Sequence, residues 1–439
     1  MTRSRIVRRA TLAFVAVALL VAVAIVAGCG SGSSASSSSS PGATGSGTVT
    51  LWHGYTDVEH AAIDRMVASY NATNPAWKVT PVFAGNNDYA LTKLQTALAA
   101  GKAPDIAYQY GSSMALLAKL PQLVDLTSRV NDPAFGWNDF FPAVRLAATV
   151  NGKVLGVPAL VDNLALVYNK TLFDKAGIPY PTAQWTWSDF RAAAQKLTDP
   201  AAKQFGWAYV NDASEDTVWR YLALLWQAGG DMLTPDNSKA AFNSPAGLKA
   251  MTLLYDMANQ DHSIYLDSGN DNYLNLFNAG KIAMLYTGPW DISSINPSVK
   301  FDVQILPGDV SHATIAGPDN YVLLNNGAQR LNGAWQFIKW FSAPEQHLKF
   351  SIATGDLPLS SAETKLPGYQ TYLKKYPAEA VFVANLSNVT KARPNIPTYP
   401  RVSQALGQAI QAVLLGKMTP QQALSSAEQQ VNGILASGQ

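Results

Sequence analysis

The chain of 439 residues contains a single cysteine, Cys29, close to its start. One thiol cannot form an intramolecular disulfide, so the folded part of the chain must be stabilised by packing rather than by covalent cross-links. About 390 residues follow the segment around this cysteine, which is enough to bury large hydrophobic cores. The length therefore predicts a large protein built of two lobes.

Charged residues are also scarce, and neither sign dominates. They make up 14% of the chain, with 32 Lys and Arg against 30 Asp and Glu. Four of the arginines, Arg3, Arg5, Arg8 and Arg9, fall at the very start of the chain. No basic block follows them, which argues against nucleic acid as a partner.

Motifs of metal and nucleophilic catalysis are missing as well. The five histidines show no His-x-x-x-His spacing, and there is no Gly-x-Ser-x-Gly motif. A glycosidase needs only two carboxylates, which the acidic residues could supply, so a secreted glycosidase stays as the less favoured alternative. A structural surface protein would show repeats or β-rich sequence, and the chain has neither. We expect a binding protein that is not an enzyme and that uses no metal and no cofactor.

The start of the chain has the layout of an export signal. Basic residues precede an apolar run at 12–27, which is shorter than the about 20 residues of a membrane-spanning helix. The sequence VAGC at 26–29 resembles a bacterial lipobox, in which the cysteine is lipidated and becomes the first residue of the mature protein. The resemblance implies a signal peptide at 1–28 and a lipid anchor at Cys29 on the extracellular face of the cytoplasmic membrane. An uncleaved anchor helix is the alternative, and the Arg8-Arg9 pair leaves the Sec and twin-arginine routes both open.

The segment 29–47 is rich in Ser and Gly and carries no charge. Such a composition cannot bury a core, and it is typical of a flexible tether.

After this segment, β-type runs alternate with helical patterns. Strands are predicted at 48–52, 79–83 and 104–108, with a helix between each pair. The first helix is expected to bury a face formed by Ala62, Met66, Ser69 and Tyr70. This alternation predicts a mostly parallel sheet with helices on its faces.

In sheets of this kind, ligands bind at the carboxyl ends of the strands. The residues that follow the predicted strands are rich in polar and aromatic side chains, and 11 tryptophans in the whole chain offer apolar faces suited to sugar rings. The candidate ligand contacts at the strand ends are His53, Tyr55, Asn87, Asp88 and Tyr110.

Seven segments, in order, resemble extracytoplasmic solute-binding proteins of ABC transporters of the sugar type. They include NGKVLGVPALVDNLALVYNKTLFDKAGI (151–178) and FNAGKIAMLYTGPWDI (277–292), and they are most like the maltose-binding and glycerol-phosphate-binding branches. The resemblance implies an α/β, two-lobe periplasmic-binding-protein-like fold with a hinge and a central ligand cleft. It implies lobe 1 at 48–160 and 308–350 and lobe 2 at 161–307 and 351–439, a monomer, and permease subunits as partners.

The resemblance also implies binding residues. By position these are Asn87, Asp162 and the adjacent Asn163, Trp219, Trp290, Asp319, Asn320, Asp356, Tyr399 and Arg401. Each keeps a structural alternative: Asp162 could cap a turn, and the two tryptophans could be core residues.

Departures from the family pattern bear on the ligand. The glycerol-phosphate branch has an arginine just before a late proline, where this chain has Asn395-Ile396-Pro397, so that Arg393 is displaced. A phosphate prefers Arg or clustered backbone amides, whereas Asp162, Asp319 and Asp356 accept hydrogen bonds from hydroxyls. We expect a neutral mono- or oligosaccharide, with an amino sugar or a glycerophosphodiester-type polyol as the alternatives.

Overall fold

The computed structural model describes residues 45–73, 76–85, 87–269 and 272–438, without the side chains of Asp57 and Asp88. The predicted signal peptide, the lipidation site Cys29 and most of the predicted tether lie outside these residues. Gly47, the last residue of that tether, already belongs to the first strand. Within the described residues, no helix combines the length and the apolar character that crossing a membrane requires.

Twelve strands are assigned in the described residues. They are β1 Gly47–His53, β2 Trp77–Phe83, β3 Ile106–Tyr110, β4 Thr149–Val150, β5 Lys153–Val154, β6 Val157–Leu160, β7 Ala165–Asn169, β8 Phe205–Val210, β9 Ile264–Asp267, β10 Ile282–Thr287, β11 Phe301–Gln304 and β12 Asp319–Leu323.

The α-helices of the same residues surround these strands. They are α1 Asp57–Thr73, α2 Ala90–Ala99, α3 Met114–Leu117, α4 Thr127–Val130, α5 Pro142–Ala147, α6 Lys170–Ala176, α7 Trp187–Lys196, α8 Glu215–Gln227, α9 Pro245–Tyr255, α10 Asn272–Asn278, α11 Ala328–Phe341, α12 Pro344–Thr354, α13 Ser361–Thr364, α14 Pro367–Lys375, α15 Glu379–Asn385, α16 Tyr399–Leu414 and α17 Pro420–Ser437.

The first sheet has the strand order β2-β1-β3-β12-β6. Strand β1 pairs in parallel with β2 and β3, which confirms the predicted alternation of strands and helices. Strand β3 begins at Ile106 rather than at the predicted Pro104, and the carboxylate of Asp105 accepts the backbone N–H of Thr50 at 2.8 Å. Pro158 lies in β6 at the edge of the sheet, where a strand tolerates a residue that lacks an N–H donor.

The second sheet has the order β11-β7-β10-β8-β9. Strand β10 runs parallel to β8 and antiparallel to β7. The segments 161–164 and 305–318 connect the two sheets, and they lie side by side because Asn163 forms a bridge with Ala316. The two sheets with helices around them confirm the predicted α/β fold class.

Helix α1 shows where the predicted burial pattern was wrong. Ser69, expected on the buried face, is exposed. The buried face consists of Ala62, Ile63, Met66, Val67 and Tyr70. At 100° per residue, Ser69 falls beyond the edge of this stripe, while Ile63 and Val67 continue it at the i, i+3 and i, i+4 spacing.

Candidate ligand-binding cleft

A cavity of about 200 Å³ is lined by elements of both sheets. Strand ends and helix α1 contribute from the first sheet, and helices α8 and α10 contribute from the second. The lining residues are Gly54, Thr56, Val58, Glu59, Asn87, Tyr108, Tyr110, Leu160, Asp162, Glu215, Asp216, Trp219, Arg220, Tyr273, Leu274, Trp290, Asp291, Ser294, Gly317, Asp319 and Arg393.

Two tryptophans form one apolar wall of this cavity. The ring centroids of Trp219 and Trp290 lie 5.8 Å apart, and the ring planes are inclined at 44°. Trp290 follows the turn at the end of β10, and its indole ring folds back over Gly288. A Cβ on residue 288 would lie 1.8 Å from the ring, so only glycine permits this placement. The indole N–H of Trp219 is buried and has no hydrogen-bond partner among the described residues.

Asp319 and Asp162 contribute to a polar wall of the same cavity. The carboxylate of Asp319 accepts the Tyr108 hydroxyl at 2.6 Å and the Gly111 N–H at 3.1 Å. Burial raises the pKa of Asp319 to about 6, although the charge of Arg393 acts against this rise. Asp162 accepts the Gly317 N–H at 3.0 Å, and burial, with the charge of Asp319, holds its pKa well above the usual range.

Glu59 and Asn87 add two acceptors to the polar wall. Glu59 lies in the first turn of α1, and burial together with the charges of Asp356 and Asp162 holds its pKa well above the usual range. The side-chain oxygen of Asn87 is buried and has no donor within the described part of the chain. Both side chains can therefore accept a hydrogen bond from a ligand.

The cationic side chains of the lining are engaged in ion pairs. The guanidinium of Arg393 donates to Glu215 at 3.0 Å, and the Tyr399 hydroxyl donates to the same carboxylate oxygen at 2.7 Å. Arg393 also lies over the ring of Tyr110, 5.9 Å from its centroid. Arg220 pairs with Asp216 one turn earlier on α8.

The cavity brings together six of the residues expected to contact ligand. These are Asn87, Tyr110, Asp162, Trp219, Trp290 and Asp319. The side chain of Asp88 lies outside what the structure describes.

Seven other expected residues do not line the cavity, and two of them lie at the end of β1 or just after it. Tyr55 is fully buried, with its hydroxyl 3.2 Å from that of Tyr321. His53 packs on Tyr55 and His60 away from the cavity, and burial lowers its pKa to about 4.

Asn163 and Asn320 support the backbone between elements. The Asn163 amide donates to the Phe382 carbonyl at 2.8 Å, which ties α15 to the connecting segment. Asn320 follows Asp319 in β12, and because successive side chains point to opposite faces of a strand, it turns away from the cavity. Its amide donates to the Ala147 carbonyl at 3.3 Å.

The last three expected residues lie late in the chain. Asp356 is buried behind the cavity, with no partner for either carboxylate oxygen among the described residues, and burial raises its pKa to about 7. Tyr399 reaches the site only through its bond to Glu215. Arg401 is exposed on α16.

Sequence reasoning missed the charged residues of α8 and set Arg393 aside as displaced. Glu215 and Asp216 lie on the same helix face as Trp219, since they are spaced at i−4 and i−3 from it, and Arg220 follows Asp216 at i+4. An expected ligand contact at Trp219 therefore also indicates that Glu215 and Asp216 line the cavity. The placement of Arg393 depends on an ion pair with a residue 178 positions earlier, which no local pattern reveals.

Comparisons with known proteins agree with this architecture. Residues 56–347 match the family model described as bacterial extracellular solute-binding protein. The chain is 24% identical over 411 residues to the sn-glycerol-3-phosphate-binding periplasmic protein UgpB of Escherichia coli strain K12, covering 88% of this chain and 92% of that protein.

Two solved structures are more similar in sequence. The cyclic alpha-maltosyl-1,6-maltose binding protein from Arthrobacter globiformis is 30% identical, with a TM-score of 0.73 and coverage of 90% of this chain and 100% of that one. The ABC substrate-binding protein Lmo0181 from Listeria monocytogenes, in complex with cycloalternan, is 29% identical, with a TM-score of 0.81 and coverage of 89% and 99%. Since the family model spans more than half of the chain, the resemblance seen in the sequence is confirmed, and the chain belongs to the bacterial extracellular solute-binding proteins.

Proposed function

We propose that this protein captures a neutral mono- or oligosaccharide outside the cell and delivers it to the permease subunits of an ABC importer. The observation that carries this proposal is that the paired rings of Trp219 and Trp290 line one cavity together with the acceptors Asp162 and Asp319. A sugar ring presents apolar C–H faces that pack on indole rings and a rim of hydroxyls that donate to carboxylates. The cavity offers both kinds of contact.

Two unpartnered atoms of the lining support a ligand with hydroxyl groups. The indole N–H of Trp219 needs an acceptor, and the side-chain oxygen of Asn87 needs a donor. A buried polar group without a partner costs roughly 1–3 kcal/mol. A hydroxyl group both donates and accepts, so one polyol can satisfy both atoms.

The charge of the lining disfavours an anion. The described lining carries six carboxylates and two arginines. Arg393 and Arg220 are already paired with Glu215 and Asp216. A phosphate group would have to displace one of these pairs to gain a guanidinium of its own.

The relatives support a sugar as the ligand, and two alternatives remain. The two solved proteins named above bind, by their names, cyclic alpha-maltosyl-1,6-maltose and cycloalternan. The sn-glycerol 3-phosphate in the UgpB name and the presence of Arg393 on the lining favour a polyol with a phosphate group, such as a glycerophosphodiester-type polyol, as the second candidate. The excess of carboxylates also suits an amino sugar. The relatives are transport binding proteins, which supports a non-enzymatic role.

We further propose that lobe 1 comprises 48–160 and 308–350 and that lobe 2 comprises 161–307 and 351–439. The protein is a monomer, and its two lobes close on the ligand. The two sheets and the paired connecting segments support this hinge. Lipidation at Cys29 would hold the protein on the extracellular face of the membrane.

A calorimetric screen tests the ligand class. The purified protein is titrated with linear and cyclic α-glucans, an amino sugar, sn-glycerol 3-phosphate and glycerophosphocholine. We expect tight binding of a neutral sugar without hydrolysis products. Binding of the phosphorylated compounds alone would overturn the proposal, and release of shorter sugars would identify a glycosidase.

A further inference from the structure

Two histidines and an aspartate converge outside the sugar cavity, at the end of β1 and the first two turns of α1. One possible metal-ligating atom from each of His53, His60 and Asp64 lies within 4.8 Å of the other two. None of the three lines the cavity. We propose that these residues bind a divalent cation of the zinc class.

The helical pair already has a spacing suited to a metal. His60 and Asp64 are four residues apart on α1, so they lie on one face, and the His60 Nε2 is 3.6 Å from an Asp64 carboxylate oxygen. Tetrahedral zinc with bonds of 2.0–2.2 Å sets neighbouring ligand atoms about 3.4 Å apart. A change of a few tenths of an ångström in the distance between these two atoms is therefore sufficient for both to coordinate one ion.

His53 provides a second, independent observation that indicates a bound ion. Its side chain is only 2% exposed, and its Nδ1 is buried without a hydrogen-bond partner in the described residues. The ring is fixed by stacking on Tyr55, at 5.5 Å between centroids, and it meets the His60 ring edge-on at 5.2 Å. A buried imidazole held beside a second imidazole is arranged as a metal ligand is, with little entropy left to lose on binding.

The other side chains can move to admit the ion. The side chains of His60 and Asp64 are 41% and 51% exposed. Phe83, which stacks on the His60 ring, is 49% exposed. Rotation of these surface side chains can bring the three ligand atoms from 4.8 Å to coordinating separation and leave a fourth position for water.

The donor set selects the metal. Two imidazoles and one carboxylate suit zinc and its neighbours in the Irving–Williams order, whereas magnesium and calcium prefer oxygen ligands alone. The bound ion would join the end of β1 to α1, the helix whose first turn holds Glu59 in the cavity lining. The metal would thus brace one wall of the ligand cleft without entering it.

Calorimetry with zinc chloride on the chelator-treated, full-length protein tests the site. We expect one zinc ion per chain, a higher melting temperature with zinc, and no competition from millimolar magnesium. His60→Ala and Asp64→Asn should each weaken zinc binding by at least about 100-fold, because even loss of an outer-shell partner costs 10–100-fold. Both residues are at the surface, so circular dichroism should show an intact fold.

His262→Asn is the matched control. His262 is exposed and belongs to the second-sheet half of the chain, and asparagine tolerates its φ of 50°. This variant should bind zinc as the wild type does. Absence of saturable 1:1 binding to the wild type, or unchanged zinc affinity in both His60→Ala and Asp64→Asn, would overturn the proposal.

Discussion

The indole rings of Trp219 and Trp290 come from different elements and meet in the cavity with their centroids 5.8 Å apart. Trp219 is held by helix α8, and Trp290 by the 3-10 helix Pro289–Ser294 after β10. Neither element alone forms the apolar wall, so the shape of this wall depends on how both elements pack. Trp290 is the more exposed of the two rings.

Trp290→Ala should weaken sugar binding about 30-fold, which corresponds to about 2 kcal/mol, because the variant removes a rigid apolar face from a cleft. Calorimetry with the sugar found in the screen measures the effect. Trp335→Ala is the matched control, since Trp335 is also half-buried but lies outside the cavity. Equal affinity of Trp290→Ala and wild type would show that Trp290 belongs to the core and not to the site.

The protonation of Asp319 should be linked to ligand binding. Its pKa is raised to about 6 by burial, and a sugar hydroxyl that donates to the carboxylate favours the ionised form. The pKa then falls on binding, protons are released near pH 6, and affinity drops as the pH falls. For a shift of one unit, affinity at pH 5 should be roughly fivefold lower than at pH 7.

Calorimetry in buffers of different ionisation enthalpy counts the protons. Asp319→Asn should abolish the release near pH 6. A phosphorylated ligand would raise the pKa instead, so proton uptake on binding would contradict a neutral ligand.

The buried pair of Arg393 and Glu215 should matter for stability. Arg393→Gln leaves the Glu215 carboxylate without its cation, and loss of one partner of a buried pair costs about 3–5 kcal/mol of unfolding free energy. Urea denaturation measures the loss. Lys153→Gln breaks the exposed pair with Asp125 and should cost less than about 1 kcal/mol. The double variant Arg393→Gln with Glu215→Gln should recover part of the loss; a further fall would show that the two residues do not act on each other.

Stability should rise on mild acidification. The pKa of Asp356 is raised to about 7 and that of Glu379 to about 8, in both cases mainly by burial. The folded protein therefore binds protons at pH values where the unfolded chain, with its ordinary acid pKa values, does not. The free energy of unfolding then increases as the pH falls through these values, by roughly 3 kcal/mol from pH 8.5 to 6.5.

The raised pKa values of Glu59 and Asp162 act in the same direction. His53, with its pKa lowered to about 4, opposes the trend only below about pH 6.5, where the unfolded chain takes up a proton. Urea melts at several pH values check the slope. Asp356→Asn should flatten it and Asp139→Asn, at an exposed site, should not. A wild-type stability that falls from pH 8.5 to 6.5 would refute the expectation.

Cys29→Ser should abolish lipidation, because the thiol is the proposed attachment point of the acyl anchor. Labelling of cells with a radioactive or clickable fatty acid measures it. Normal lipid labelling of the variant would end the lipoprotein proposal.

Local patterns in the sequence predicted much of the first sheet. The run at 48–52 forms β1, and the alternation with helices predicted the parallel partners of this strand. Such predictions succeed because burial imposes a fixed period of apolar residues on each strand and helix. The exposed Ser69 shows the limit of this reasoning. At the edge of the buried face of a helix, a small residue fits either a buried or an exposed position.

The site was harder to predict because it assembles from distant segments. Asp319 and Trp290 were expected at the ligand from the family resemblance, and both line the cavity. Arg393 and Glu59 were missed, since their positions follow from tertiary ion pairs and from the rotation of α1 about its own axis. Asp356 was expected to contact the ligand, yet the structure buries it behind the cavity. The position of a residue along the chain does not show how deeply its side chain is buried.

Strand β12 occupies the interior of the first sheet, between β3 and β6, although it is made more than 150 residues after β6. The second sheet, by contrast, takes all its strands from one continuous stretch, 165–304. A chain shortened before Asp319 would keep the whole second sheet but leave β3 and β6 with open hydrogen-bonding edges. Such edges pair readily with other chains, so truncated products of this protein are poised to aggregate through the first sheet.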